Sequence, residues 1–242
     1  MSDNSNTEST SLNKYIAATG ICSRRDADEM IREGRVTING NPTKPGNRVF
    51  EGDVVLIDDK PLRAKPKPTY ILFNKPPGIV CTTDLAEPRN IISFIDHPDR
   101  LFPIGRLDMA SQGLIILTND GDIVNKVLRS TNNHEKEYLV QVKSEITDEF
   151  LLNMRQGVPI LDQMTMPCQV KQVNDMSFRI ILTQGLNRQI RRMCEYLGYE
   201  VRMIKRSRIM HMTLSGLRIG EWRDLTEGEL SLLMERTEHS TK

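Results

Sequence analysis

Ten residues, Lys60-Pro61-Leu62-Arg63-Ala64-Lys65-Pro66-Lys67-Pro68-Thr69, limit what this chain can fold into. They hold three prolines and four basic residues, with no apolar periodicity. Proline removes a backbone donor and disfavours helix in the residue before it, so the stretch reads as a semi-rigid spacer. A chain of 242 residues then divides into a small N-terminal unit and a larger C-terminal one. The expected boundaries are a disordered tail over 1–11, a small domain over 12–60, a linker over 61–69, a large domain over 70–236 and a second tail over 237–242. The first tail follows from composition: residues 1–10 contain no apolar residue after the initiator and cannot offset their ordering entropy.

Composition excludes several classes. Thirty-three Lys+Arg oppose 32 Asp+Glu, so the net charge says little and the local distribution must decide the partners. The four cysteines, Cys22, Cys81, Cys168 and Cys194, show no C-x-x-C pair, so neither zinc spacing nor a disulfide framework is expected. No apolar run approaches the roughly 18 residues of a membrane span, and no secretory signal is visible. The expectation is a soluble, cytoplasmic, monomeric protein with no metal and no cofactor.

In the small domain, Leu12, Tyr15, Ile16 and Thr19 recur at helical spacing and stop at Gly20. Ser23 with Asp26 forms a helix-start signal before Ala27, Met30 and Ile31, and Gly34 ends that helix. Arg35 to Ile38 and Val54 to Ile57 read as strands, with Asn39-Gly40 as a tight turn. Cap, charges and turn at these distances resemble the S4 RNA-binding domain, in which the second helix and adjoining loop lie against RNA phosphates. The resemblance implies RNA contact by Lys14, Arg24 and Arg25, and also by Arg32 and Arg35. The acidic neighbours Asp26, Asp28, Glu29 and Glu33 equally allow an ordinary solvated face.

The large domain opens with a strand, Tyr70 to Asn74, closed by Lys75-Pro76-Pro77-Gly78. Asn90 is placed to cap a short helix through Ile95. Strands are expected over Leu114–Thr118, Lys136–Val142, Pro167–Val173 and Ser177–Thr183. Helices are expected after Asp122, after Thr147 and after Thr226, the last with a Thr226–Glu229 capping box. Without a regular βαβ repeat, the expected class is α+β, a mixed and largely antiparallel sheet flanked by helices.

Two stretches carry chemistry. In Gly105-Arg106-Leu107-Asp108, followed by Ser111-Gln112-Gly113-Leu114, Arg106 and Asp108 are two residues apart. They either face one space or make a local ion pair on a surface turn. From Gly185 to Arg208 seven basic residues oppose two acidic ones, a net +5. Ile190, Met193, Cys194 and Leu197 give one helix a core face, and Arg188, Arg191 and Arg192 lie off it. That concentration is the footprint of a polyanion site, or else a solvated basic helix.

The phosphate-loop, dinucleotide, zinc-protease and serine-elbow signatures are absent, and His97, His134, His211 and His239 show no ligand spacing. What remains is a turn-borne carboxylate, a strand tyrosine and an arginine-rich helix. That set suits a cofactor-free reaction on one RNA base. The base must leave its stack at a cost of about a few kcal/mol, and an aromatic ring can hold it for roughly 1–3 kcal/mol.

Gly105 to Leu114, Lys136-Glu137-Tyr138 and Gly185 to Met193 together resemble the motifs of the RsuA-type pseudouridine synthases. The similarity runs from about Leu12 to Leu233. Within that family the chain is most similar to the RluF branch, which acts on large-subunit ribosomal RNA. The resemblance implies site-specific isomerisation of uridine to pseudouridine in structured RNA. In these roles Asp108 is the catalytic aspartate, Tyr138 stacks on the uracil, Arg191 pairs with Asp108, and Arg106 grips the strand where the base left. Asn187, Arg188, Gln189 and Arg192 support pocket and phosphates. Small-subunit ribosomal RNA, a tRNA anticodon stem-loop, or a purely RNA-binding role without catalysis remain the alternatives.

Phosphate contacts release counterions, so RNA affinity is expected to fall steeply with salt, with a log–log slope of about −0.7 to −0.9 per phosphate contacted. A filter-binding titration over salt checks this; a flat response would remove the arginine-rich stretch as the RNA face.

Overall fold

The computed structural model describes residues 9–241. The chain forms two compact units, residues 1–68 and 69–242. No helix among the described residues is long and apolar enough to cross a membrane.

The first unit contains β1 (Thr10–Ser11), α1 (Leu12–Ala18), α2 (Arg24–Arg32), β2 (Val36–Ile38), β3 (Asn41–Pro42), β4 (Arg48–Val49), β5 (Val55–Ile57) and β6 (Lys60–Pro61). Strands β3, β2, β5 and β6 make one sheet, and β1 pairs with β4. The Ser23 side chain accepts from the Asp26 amide while Asp26 accepts from the Ser23 amide, the reciprocal cap that the sequence signals. Asn39 and Gly40 both take positive φ, which the tight β2–β3 turn requires. Leu12, Ile16, Ala27, Ile31, Val36, Val49 and Val55 close one small core. Tyr15, on the helical spacing, stays outside it and exposed.

Two expectations about segments need correction here. The part of the expected N-terminal tail over 1–8 lies outside the described residues, but Thr10 and Ser11 pair with Val49 and Arg48, and Arg48 Nε donates to Ser9 Oγ at 2.6 Å. The expected linker starts too early: Pro61 pairs with Leu56, and Leu62 packs on the core of this unit. The backbone of strand β5 offers pairing groups that composition alone does not reveal.

The second unit contains β7 (Tyr70–Lys75), α3 (Ile91–Ile95), β8 (Phe102–Ile104), β9 (Gln112–Thr118), α4 (Asp122–Leu128) and β10 (Lys136–Val142). It continues with α5 (Asp148–Gln156), β11 (Pro159–Ile160), β12 (Gln163–Met164), β13 (Gln169–Asn174), β14 (Ser177–Leu182) and α6 (Gln189–Tyr196). Strands β15 (Val201–Ile209), β16 (Met212–Thr213) and β17 (Trp222–Asp224) and helix α7 (Glu227–Thr237) complete it. The main sheet runs β13-β14-β10-β15-β9-β7-β17, with β8 on β9 and β16 on β15. Only the β15–β9 pair is parallel, so the sheet is mixed and largely antiparallel, as the sequence implies.

Side chains alternate across a strand. In β7 and β9 this sends Tyr70, Leu72, Leu114 and Ile116 to one face, where α4 and α7 cover them. Ile71, Phe73, Ile115 and Leu117 go to the other face, against Ile91 and Ile95 of α3. A third core, under α5 and α6, holds Phe150, Phe178, Ile190 and Met193. The sheet is therefore covered on both faces at its centre, which explains the unbroken apolar runs of β7 and β9.

Helix α7 begins with the expected capping box: Glu229 N–H donates to Thr226 Oγ1, and Thr226 N–H donates to Glu229 Oε2. Arg223 grips Glu229 with two donors at 2.7 and 2.8 Å. The expected C-terminal tail is also corrected. Thr237 is buried inside the last turn of α7, Ser240 Oγ lies 2.9 Å from His134 Nε2, and the Thr241 amide donates to Asn132 at 3.1 Å.

The Arg223 hydrogen bonds pull the Glu229 carboxyl down from 4.5 to about 2. A depressed folded-state pKa gives stability that is present above the unfolded value and is lost as pH falls through the folded one. Glu229→Gln is expected to cost about 1–2 kcal/mol at neutral pH, through the weakened cap and lost ion pair. The gap to wild type should close between pH 4.5 and about 2 in urea unfolding experiments; a gap independent of pH would show that the charge of Glu229 contributes nothing.

Candidate active site

The loop between β8 and β9 carries Arg106 and Asp108. Gly105 enters it at φ +78°, and a Cβ there would lie 2.9 Å from Leu128 Cδ2. Leu107 turns inward and is buried against the α3 side of the sheet. Its neighbours Arg106 and Asp108 are thereby turned outward, Arg106 exposed and Asp108 half-buried. The Ser111 amide donates to the Asp108 carbonyl at 2.9 Å, and the Leu107 amide donates to Cys81 Sγ at 3.4 Å.

A buried lysine fixes this loop from behind. Lys75 Nζ, at the end of β7, donates to the Pro76 carbonyl at 2.8 Å and to the Met109 carbonyl at 3.3 Å. The Gly78 amide reaches the same Met109 oxygen at 2.7 Å. Burial lowers the Lys75 pKa, against an opposing pull from Cys81 and Asp108. In the sequence Lys75 reads only as a strand end before a Pro-Pro-Gly turn; no local pattern marks it as an anchor for residue 109.

Asp108 faces α6. Arg191 Nε lies 3.8 Å and Arg188 Nη1 3.9 Å from Asp108 Oδ2. These are ion pairs at beyond hydrogen-bond length, in which Asp108 is 31% and Arg191 16% exposed. Arg191 Nε is buried without a hydrogen-bond partner. The sequence anticipates Arg191 here; the share taken by Arg188 comes from its left-handed backbone, φ +49°, at the start of α6.

The other sequence-derived residues separate into two groups. Tyr138, Arg106, Asn187, Arg188, Gln189 and Arg191 all line one cleft of about 860 Å³ with Asp108. That volume fits a nucleotide-sized ligand. Gln189 is buried, and its side-chain oxygen accepts from the Leu186 amide at 3.0 Å, so it shapes the wall of the cleft. Arg192 does not line the cleft: its guanidinium donates to the carbonyl and side-chain oxygens of Asn187 at 3.1 and 3.2 Å.

The first unit holds the rest. Arg24, Arg25 and Arg32 are exposed along α2 and Lys14 is half-buried on α1. Arg35 is exposed, but Asp58 takes it in two hydrogen bonds at 3.0 and 2.7 Å, with Glu33 at 3.3 Å. A phosphate would have to displace a carboxylate there, which sets Arg35 apart from the other arginines.

The run from Gly185 to Arg208 is not one surface. It folds into α6 and the internal strand β15, which the sequence reading misses because alternating basic residues resemble a solvated segment. Arg208 is held by Glu135 at 2.9 Å and Glu137 at 3.7 Å. Arg206 is buried inside the cleft wall, directly across the strand pair from Tyr138.

A carboxylate between two arginines and an aromatic side chain in the same nucleotide-sized cleft suit a class: an enzyme that works on a nucleic-acid base. Comparison with known proteins fixes the class. The RNA pseudouridylate synthase family model matches residues 69–196, and the S4 domain model matches residues 10–55. The chain belongs to the RNA pseudouridylate synthase family. It is 54% identical over 235 residues to the dual-specificity RNA pseudouridine synthase RluF of Salmonella typhi, covering 96% of this chain and 81% of that one. It is 33% identical to the ribosomal large subunit pseudouridine synthase B of Bacillus subtilis, covering 94% of this chain and 97% of that one. A crystal structure of a pseudouridylate synthase superposes with a TM-score of 0.68 at 28% identity, covering 92% of this chain and 99% of that one. The protein is thus an isomerase that converts uridine in RNA to pseudouridine.

One position secures the geometry. Gly113 takes φ +112°, and a Cβ there would lie 2.7 Å from the Arg206 amide nitrogen and closer still to its carbonyl oxygen. Both conformation and space demand glycine. Gly113→Ala is expected to destabilise the protein by about 3 kcal/mol or more in urea unfolding. A loss under about 1 kcal/mol would show that the two strands separate easily.

Proposed function

We propose that this enzyme isomerises set uridines of large-subunit ribosomal RNA in the cytoplasm, with Asp108 as the catalytic carboxylate. The observation that carries the reading is Asp108 lining a nucleotide-sized cleft, 3.8 Å from Arg191 and in the same cleft as Tyr138. The extruded uracil stacks on Tyr138, and Arg191 with Arg188 holds Asp108 aimed at the sugar–base junction. Arg106, exposed at the rim, takes the place vacated in the RNA. The glycosidic bond breaks, the uracil turns while held, and C5 bonds to C1′. Arg24, Arg25 and Lys14 of the S4 unit grip structured RNA.

The ribosomal target is supported by the name of the Bacillus subtilis relative. The dual specificity named for the Salmonella typhi relative supports a second RNA class, for which a tRNA anticodon stem-loop is the candidate. Four cysteines outside any disulfide suit a reducing compartment.

Asp108→Asn keeps the shape and removes the charge. With transcribed ribosomal RNA it is expected to bind normally and to lose about 10³-fold or more in pseudouridine formation, about 4 kcal/mol of barrier. Undiminished conversion would remove Asp108 from the mechanism. Binding without conversion by wild type would leave an RNA-binding protein, and conversion of tRNA alone would move the target.

A further inference from the structure

Lys136 and Arg206 are the least accessible charged groups of the cleft, at 6% and 4% exposure. Lys136 opens β10 and shares a strand face with Tyr138, two residues on. Arg206 pairs with Tyr138 across the β10–β15 ladder, and its guanidinium carbon lies 6.0 Å from the centre of the tyrosine ring.

Neither cation is neutralised. Among the described residues no carboxylate lies within ion-pair distance of Arg206 or Lys136. Lys136 Nζ donates to the carbonyls of His134 and Thr183 at 3.2 and 3.4 Å. Arg206 Nε donates to the Leu114 carbonyl at 2.7 Å, Nη1 reaches the Arg106 carbonyl at 3.5 Å, and Nη2 has no partner. Burial, and then the charge of Arg206, push the Lys136 ammonium down to about 8. Two unpaired cations held together out of water are costly, and an apolar side chain of similar length would pack there at lower cost. Their burial beside the Tyr138 ring, where Arg106 and Arg188 are exposed, separates them from phosphate binding.

The reaction supplies a matching charge. When the C1′–N1 bond breaks, its electron pair stays on N1, and the uracil becomes an anion with charge spread over N1 and the ring carbonyls. C5 then supplies the pair that forms the C1′–C5 bond, loses its proton, and N1 regains one, so the product is an isomer with no external reagent. Negative charge on the base exists only between those steps. Building on the reaction proposed above, we infer that Lys136 and Arg206 form a cationic floor that stabilises the detached uracil anion. Fixed charge in a water-poor site acts most strongly on charge that develops during reaction, so the floor raises turnover and leaves RNA affinity alone.

The test uses the full chain and single-turnover kinetics, enzyme in saturating excess over RNA carrying uridine or 5-fluorouridine at the target position. Fluorine makes uracil a weaker base and a better leaving group, so it substitutes in part for the missing cation. Lys136→Met and Arg206→Met are expected to bind RNA within about threefold of wild type and to slow glycosidic cleavage by about 30-fold on uridine. On 5-fluorouridine that defect should shrink by about threefold or more, and Arg206→Lys should recover part of the loss. Folded Met variants with wild-type rates, or with equal defects on both bases, would overturn the assignment. Should the Met variants not fold, Arg206→Lys still has to shift the uridine-to-fluorouridine rate ratio, and an unchanged ratio overturns it. A wild-type enzyme that converts no uridine sinks the parent reading instead. Conversion with insensitive variants sinks only this one.

Discussion

The parallel contact between β9 and β15 is the joint on which the catalytic unit depends. Gly113 lies opposite Arg206 in that register, so close that no side chain fits between the two backbones. On one side of the joint run β9, β7, β8 and β17; on the other run β15, β10, β14 and β13. The cleft forms where these halves meet. Asp108 sits in the loop that feeds β9, Tyr138 on the strand next to β15, and Arg191 on the helix that leads into β15. Arg206 Nε reaches back across the joint to the Leu114 carbonyl, so the same residue supplies backbone for the contact and side chain for its lock. A shift of the register would separate the carboxylate from the aromatic ring. The fold and the site therefore rest on one constraint.

Local signals were readable because they rest on interactions within a few residues. Ser23 with Asp26 and Thr226 with Glu229 satisfy orphan amides three positions away, and both caps stand in the structure. Ile190, Met193 and Cys194 face the core because helical spacing leaves them no alternative. Lys75, Lys136 and Arg206 were opaque for the opposite reason. Besides local carbonyls at residues 76 and 134, they reach the carbonyls of residues 109, 183 and 114, brought near only by sheet pairing. A lysine bound to a remote carbonyl has no spacing to read. The same holds for Arg35, whose partner Asp58 arrives through the β2–β5 pairing. Thr10 and Ser11, polar residues with nothing apolar to bury, are held by backbone pairing that composition does not reveal.

Basic residues around the cleft divide by solvation, and solvation decides what each can do. Arg106 and Arg188 are exposed, so their charge is screened and long-ranged, suited to meeting a polyanion. Arg191 occupies an intermediate position, mostly covered yet 3.8 Å from the Asp108 carboxylate. Lys136 and Arg206 are the most buried of them, and among the described residues their hydrogen bonds go to carbonyls alone. Electrostatic interaction strengthens as water is excluded, so positive charge of equal sign grows more effective from rim to floor. A phosphate at the rim and a transient anion at the floor are distinguished by depth alone, without any difference in side-chain type. The sequence count of net +5 merges these layers into a single number. Only the fold, by burying Arg206 of β15 and leaving Arg188 at the start of α6 in water, separates a surface that can meet RNA from a pocket that can act on its base.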